Sequence, residues 1–568
     1  MGRKKDISAG KQEGENNMAK YSIGVDFGTN SVRALVVNVK NGEETGSAVA
    51  AYPSGNEGIL LDPKDHNLAR QSPLDYIKTL EQSIKSALHK ARGVKAGEIA
   101  GIGVDTTGST PIPVDENNQP MCARPKYKKN LNAHAWLWKD HTAFAEAERI
   151  TLTAKKMRPH YLAKCGFSYS SEWYWSKLLH CLNVDPKLFA ETHSWIELQD
   201  YIPAVLCGVK SPEKVLRGAC AAGHKAMYNK QWGGYPDREF LSALDPRLAE
   251  QRKRLPNAAH AIDSCAGRLS AEWGAKLGLP AGIPVAIGAI DAHLGAVGSG
   301  IKTGTLVKII GTSSCDIMVL PNNRDLADIP GVCGIVDGSV LPGYFGIEAG
   351  QSAVGDIFKW FVNFICRGND ALQIKLTEEA KKLRPGENGL LALDWNNGNR
   401  TILVDPRLTG LIMGLTLHTR RHEIYRALIE ATAFGALAII NRIEEYGIKI
   451  EKVVCCGGIA EKNDLFMQIY ADVLNRPMCI SRSKQTCALG AAIAGALAAK
   501  VYPAVEPAVE SMTGIQPKVY KPIQKNTAVY RRLYEIYKSL HDAFGLTGNV
   551  PVNRVMKDLL EIKSLSVN

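Results

Sequence analysis

The chain has 568 residues, 45% of them apolar and 22% charged, with a formal net charge of +12 at pH 7. A single core stops growing near roughly 250–300 residues, so more than one globular domain is expected. The positive balance suits an anionic ligand, but no dense Lys/Arg stripe interleaved with aromatics occurs. Small anions fit it better than nucleic acid, and none is expected as a partner.

Residues 1–17 are polar, lack an apolar h-region and read as a disordered tail or extension ahead of Met18. The opening MGRKKD has no Ser/Thr at the sixth position, which N-myristoylation needs. Thirteen cysteines lie scattered without a CxxC pair, as expected of reduced thiols in a cytoplasmic protein rather than a disulfide framework or zinc site. The longest apolar runs, such as LGAAIAGALAA at 489–499, fall short of the roughly 18 residues that span a bilayer. No membrane association is expected.

In chain order, the first informative segment is IGVDFGTNSVRALVV (23–37), which reads as strand, Gly-Thr-Asn-Ser turn and second strand. At 287–300, IGAIDAHLGAVGSG is a run of small apolar residues interrupted by Asp291. Burying an ionised carboxylate costs several kcal/mol or more without compensation, so this residue needs a reason. An N-cap for a helix over 292–297 is one reason; a polar cleft in which it stays ionised is another. At 307–320, VKIIGTSSCDIMVL repeats the first pattern half a chain later: strand, Gly-Thr-Ser-Ser, strand. Such turns set hydroxyls beside consecutive backbone N–H donors, an anion-binding concavity, and their recurrence suggests two homologous domains facing each other. Neither turn is a Walker A loop.

KVVCCGGIAEKNDLFMQIYADVL (452–474) predicts a buried strand, a Gly457-Gly458 turn and a helix with Leu465, Phe466, Ile469 and Val473 on one face. Cys455-Cys456 reads as core. Asn463 serves either as an N-cap alone or as a neighbour of an adenosine laid over the two glycines. Ser211-Pro-Glu-Lys214 and Lys302-Thr303-Gly304 resemble serine acyl-enzyme motifs, but no SDN lies between them. After residue 525, Tyr530, Leu533, Ile536, Tyr537 and Leu540 recur at helical spacing. They suit either packing or a subunit contact, which leaves room for a homodimer.

Together, DFGTNSVRA, GTSSCD, GGIAEKN and GAIDAHLG resemble the FGGY carbohydrate kinases of the actin/Hsp70-like ATPase superfamily, from about residue 20 to about 510. The resemblance implies an α/β fold of two ribonuclease H-like domains facing across a catalytic cleft. The expected divisions are a tail at 1–17, an N-terminal domain at 18–290, a nucleotide-binding domain at 291–525 and a helical extension at 526–568. It further implies MgATP as cosubstrate. Gly28, Thr29, Asn30 and Ser31 would cradle the β/γ-phosphates with Arg33 nearby, and Gly311, Thr312 and Ser313 would reach them from the other side. Asp26 would hold Mg2+ through water. Gly457, Gly458 and Asn463 would flank the adenosine, with Gln351 and Gly355 lining the nucleotide side. Asp291 matches the family's catalytic base.

Further segments narrow the resemblance to members that act on L-ribulose: GVDTTGSTPIPVD, LWKDHTA, SSEWYWSKLLH, RGACAAGHKAM and GIEAGQSAVGD. Phosphorylation at O5 is then implied, with Trp138, Asp140, Lys225, Asp291 and Glu348 contacting the sugar. After Trp138 and Asp140 the segment continues His141-Thr142, where many relatives carry arginine. Trp173 and Trp175 read mostly as core that shapes the cleft. Alternatives are another pentulose or polyol kinase, acting on D-ribulose or xylulose, and a non-kinase actin-like ATPase.

Overall fold

The computed structural model describes residues 20–546 and residue 556. The expected tail at 1–17 and most of the chain after residue 546 lie outside the described residues.

β1 (Tyr21–Phe27) and β2 (Ser31–Asn38) pair antiparallel around the first turn. Ile23, Val25, Phe27, Val32 and Ala34 are all fully buried, as expected of a strand pair covered on both faces. β3 (Glu44–Ala51) extends the hairpin, and α1 (Pro73–Lys90) packs on β2 and β3. β4 (Ile99–Thr106) pairs parallel with β1. The edge strand β5 (Cys265–Arg268) adds to β6 (Pro284–Ala286), while β6 and β7 (Ala289–Ile290) both pair parallel with β4. The order is β5-β6-β4-β1-β2-β3. Between β4 and β5 run the helices α2 (Tyr174–Val184) and α3 (Ala219–Ala226), and α4 (Asp291–Gly298) follows β7.

The second sheet repeats this plan. β8 (Thr305–Ile310) pairs antiparallel with β9 (Ser314–Pro321), beyond which lie β11 (Tyr344–Ala349) and β10 (Gly334–Asp337). On its other side β8 pairs parallel with β12 (Lys452–Cys456), followed by β13 (Met478–Ser481) and β14 (Ile515–Tyr520). The internal echo in the sequence is thus a duplicated hairpin-plus-parallel-strand topology.

α5 (Arg421–Glu444), α6 (Asp464–Leu474) and α8 (Gln524–Gly545) contribute to the core of the second half. Leu465, Phe466, Ile469 and Val473 are buried, and Cys455 and Cys456 are core, as expected. On α8, Tyr530 and Tyr537 are buried and Leu533 and Leu540 pack against the same core, whereas Ile536 is 54% exposed. The stripe is therefore a packing face. The Tyr530 hydroxyl donates to Glu430 at 2.8 Å and accepts from Arg426 at 2.9 Å. No helix among the described residues is long and apolar enough to cross a membrane.

The halves are joined by an exchange of helices. α7 (Thr486–Ala498) lies in sequence between β13 and β14 of the second sheet, yet it packs on β1 and β4 of the first. α4, which follows the first sheet, packs on β8 and β9 of the second, and the two helices pack on each other. Glycines make this approach backbone to backbone. A Cβ on Gly24 would sit 1.8 Å from the Ala488 carbonyl oxygen, and one on Gly103 1.8 Å from that of Ala491. Gly298 and Gly490 play the same part between α4 and α7, at 2.0 Å and 1.9 Å from the Thr486 and Leu294 carbonyls.

Gly103→Ala is expected to destabilise the protein by about 3 kcal/mol or more, because the obstructing atom is backbone and cannot rotate away. Gly97→Ala, where a Cβ meets nothing within 4 Å, serves as control and should leave the urea midpoint nearly unchanged.

Candidate active site

Three carboxylates gather at the ends of three neighbouring strands. Asp26 near the end of β1 is in register with Asp105 near the end of β4, and Ala289 of β7 pairs with Asp105, so Asp291 emerges beside them. α7 delivers Cys487 to the same place, and ligand atoms of Asp26, Asp105 and Cys487 lie within 4.8 Å of one another. Neither carboxylate oxygen of Asp105 finds an ordinary donor, although the residue is completely buried. Burial, then the charges of Asp26 and Asp291, push its pKa well above the usual carboxylate range. Protonated Asp105 can then donate to Asp26, whose own pKa is raised by burial against the opposing pull of Asp105 and Arg33. Orphaned acceptor oxygens beside a second carboxylate are a donor set that fits a divalent cation.

Asp291 is the first residue of α4; the N-cap position is Ile290, and no side chain caps the helix. Its Oδ1 accepts only from the adjacent Ala292 N–H, at 2.6 Å, so the N-cap reading is corrected. Burial, then the negative charge of Asp26, push its pKa up to about 7, against the pull of Ala292 N–H and Lys225. With three acids converging, burial works against the ionised form that a polar cleft would keep.

Both turns close on the glycine N–H, Gly28 donating to Ser31 O at 3.0 Å and Gly311, one residue tighter, to Ser313 O at 2.9 Å. Both open onto free space: a Cβ on Gly311 would meet nothing within 4 Å, and one on Gly28 only Ser31 O at 3.5 Å. Thr29 Oγ1 accepts from Trp138 Nε1 at 3.1 Å, and Asn30 Nδ2 donates to Glu57 O at 2.7 Å. Ser31, Thr312 and Ser313 stay partly exposed, and Arg33 Nε has no hydrogen-bond partner. A short helical turn, Gly355–Lys359, backs the second hairpin. Gly355 N–H donates to Gly311 O at 3.1 Å, and a Cβ there would sit 2.4 Å from that oxygen. Gln351 is buried and already engaged with Lys308, Asp394 and Thr432, at 3.0, 2.7 and 2.8 Å. It braces the hairpin from behind.

Gly457 has φ +103°, and a Cβ there would strike Ile310 O at 2.2 Å, whereas Gly458 faces open space. Asn463 caps α6, its Oδ1 accepting from Phe466 N–H at 3.0 Å. A cavity of about 580 Å3 borders the Gly355–Lys359 turn, lined in part by Asp356, Ile357, Trp360, Asn396 and Thr409. Its lining includes neither turn nor Asp291.

The expected sugar contacts divide. Lys225 at the end of α3 and Glu348 of β11 meet across the halves, with Nζ 3.2 Å and 3.1 Å from the two carboxylate oxygens. Although burial opposes ionisation, Lys225 and its neighbours hold the Glu348 carboxyl well below the usual carboxylate range. Trp173 lies 5.6 Å from the Lys225 ammonium, and Trp175 donates to Ala226 O at 2.9 Å, so the aromatic segment holds the end of α3. Asp140 differs. It is completely buried, paired with Arg70, and accepts from Ala69 N–H at 2.7 Å and the Thr142 hydroxyl at 2.6 Å. Arg70 in turn lies 3.4 Å from the Trp136 ring centroid. The expected sugar contact is corrected: Asp140 holds the wall behind Trp138.

Sequence reasoning missed Asp105, Cys487, Lys308 and the Arg70 partner. Asp105 carried a usable signal, a lone carboxylate closing the apolar strand IAGIGVDT.

Models of the FGGY family of carbohydrate kinases match the chain in two parts, the N-terminal domain at residues 21–298 and the C-terminal domain at 306–499. The chain is 41% identical to a ribulokinase of Halalkalibacterium halodurans, covering 96% of this chain and 98% of that protein. It is 40% identical to a ribulokinase of Vibrio parahaemolyticus, covering 92% and 96%. Among solved structures, it superposes on a xylulose kinase from Rhodospirillum rubrum with TM-score 0.75 at 20% identity, covering 92% of this chain and 99% of that one. A gluconate kinase from Lactobacillus acidophilus gives TM-score 0.75 at 20% identity, covering 93% and 98%.

Asp140→Asn strips the counter-charge from the buried Arg70 and is expected to cost about 3 kcal/mol of stability. Urea denaturation measures that loss, and turnover of the folded variant should change little; intact stability with a large rise in sugar KM would return Asp140 to the substrate.

Proposed function

The chain belongs to the FGGY family of carbohydrate kinases, and on that footing we propose that it transfers the γ-phosphoryl group of MgATP to the C5 hydroxyl of L-ribulose. The observation that carries this reading is the position of Asp291 at the start of α4, beside Asp105 and Asp26, the latter on the strand that leads into the first Gly-Thr turn. Its curated relatives named ribulokinase, matched over nearly their full length, support the choice of sugar.

In this reading the sugar's primary hydroxyl donates to Asp291, which takes its proton as the phosphorus–oxygen bond forms. The backbone and hydroxyl donors of Gly28, Thr29, Asn30, Ser31, Gly311, Thr312 and Ser313 orient the phosphates, with Arg33 adding positive charge. Phosphoryl transfer needs in-line positioning and charge neutralisation above all. Asp26 and Asp105 would hold Mg2+, Asp26 through water, and the ion supplies the neutralisation that three converging carboxylates cannot. Lys225 and Glu348 would exchange their mutual contact for hydroxyl and carbonyl groups of the sugar. Trp138, anchored on Thr29, would set the sugar against the phosphate turn. Gly457, Gly458 and Asn463 would border the adenosine, with Gly355 and Gln351 keeping the second turn in place.

Asp291→Asn should preserve folding and ATP binding while lowering turnover about 10²–10⁴-fold; near-normal activity would remove the base assignment. Coupled ADP-release assays across L- and D-ribulose, xylulose, ribitol and glycerol should rank L-ribulose first, and a preference for xylulose or glycerol would overturn the sugar.

Gly311→Val fills the open space of the second turn with a branched side chain. Nucleotide affinity should drop sharply while stability holds, and unchanged ATP binding would place the phosphates elsewhere.

A further inference from the structure

We propose that His224, His293 and Glu348 form a binding site for a divalent transition-metal ion of the zinc class, built across the two halves beside the sugar pocket. The three residues come from α3, α4 and β11, and their ligand atoms lie within 4.8 Å of one another. His224 and His293 are 2% and 1% exposed, yet His224 Nδ1 and both ring nitrogens of His293 lack a hydrogen-bond partner. Leaving a buried polar atom unsatisfied costs about 1–3 kcal/mol, so His224 Nδ1 and His293 Nε2, both near Glu348 Oε2, point to an absent ligand.

The tautomer of His224 is set by its surroundings. Ser339 Oγ donates to Val336 O at 3.1 Å and must therefore accept from His224 Nε2–H, 3.0 Å away. That leaves a lone pair on Nδ1, facing Glu348 Oε2 at 3.4 Å. A lone pair aimed at a carboxylate is repulsive unless a positive charge stands between them. Supplying it by protonation would place a charge on a ring almost wholly out of water, His224 being 2% and His293 1% exposed. A metal ion meets the need, because it takes neutral imidazole and ionised carboxylate together.

The spacing agrees. Tetrahedral zinc with bonds of about 2.0–2.1 Å sets its ligand atoms about 3.3 Å apart. Glu348 Oε2 lies 3.4 Å from His224 Nδ1 and 3.7 Å from His293 Nε2. The Ser339 contact supplies the outer hydrogen bond that metal-bound histidines ordinarily make. Gly334 packs its backbone against this ring, since a Cβ there would stand 2.1 Å from His224 Nδ1.

Lys225 shares the same carboxylate, so the ion would take Oε2 and leave Oε1 to the ammonium. This consequence rests on the sugar reading above: a metal-bound Glu348 would be withdrawn from the sugar, making the ion an inhibitor competitive with sugar and not with ATP.

The test is a Co2+ titration of the full-length protein followed by visible absorption. One equivalent should give d–d bands of a nitrogen–oxygen site with no thiolate charge-transfer band. His224→Asn and His293→Asn should each abolish the bands, Ser339→Ala should weaken binding about 10–100-fold, and Zn2+ should displace the cobalt. No bands in the wild type, a thiolate band from Cys487, or bands unchanged in both histidine variants would overturn the site. Sugar KM with bound Co2+ separates the two readings: a rise supports both, whereas a bound ion without effect on KM keeps the metal site and removes Glu348 from the sugar.

Discussion

The seating of α7 on the glycines of β1 and β4 is the contact on which the rest of the molecule depends. Gly24, Gly101 and Gly103 let a helix backbone rest directly on a sheet, at separations no side chain tolerates. Because α7 belongs in sequence to the second half, this contact joins the halves as core packing rather than as a surface interface. Leu35 and Val37 of the first sheet, Leu294 of α4, Val307 and Ile317 of the second sheet and Ala488 of α7 form one buried cluster. The contact also carries Cys487 to the carboxylates and, through Gly490, fixes the helix that begins at Asp291.

Such packing makes an acidic site that water cannot easily relax. Asp26, Asp105 and Asp291 end adjacent strands, and removing them from solvent raises all three pKa values. Three ionised carboxylates there would repel strongly, so protons or a cation must share the space. The second hairpin reaches the opposite arrangement: Lys308 lies inside its sheet and is held by Asp316, Ser314 and Gln351. One half thus presents excess negative charge and the other a neutralised turn, which suits a site where a cation and phosphates meet.

Much of this was legible in the sequence, for a physical reason. The repeated Gly-Thr turns between apolar runs declare both hairpins, since short-range turn chemistry is local. Duplication of those hairpins was enough to imply two matching sheets. What stayed hidden was contact between distant segments. Asp140 has the same residue type as a sugar-binding carboxylate, and only the partner at Arg70 shows it to be wall. Asp105 looked like part of a fingerprint because nothing local says that its strand lies beside Asp26. The glycines of α7 likewise read only as part of the apolar run at 489–499 until their opposing carbonyls are known.

The helix exchange also dictates how the cleft can move. A rotation of one half against the other is least costly where it leaves the α4–α7 contact intact, since backbone packed on backbone has no side chain to flex. Groups beside that contact, Asp26, Asp105, Cys487 and Asp291, then keep their mutual geometry. Groups farther out change theirs. The Lys225–Glu348 pair joins α3 to β11 across the halves, so such a rotation would part it before it disturbed the acids.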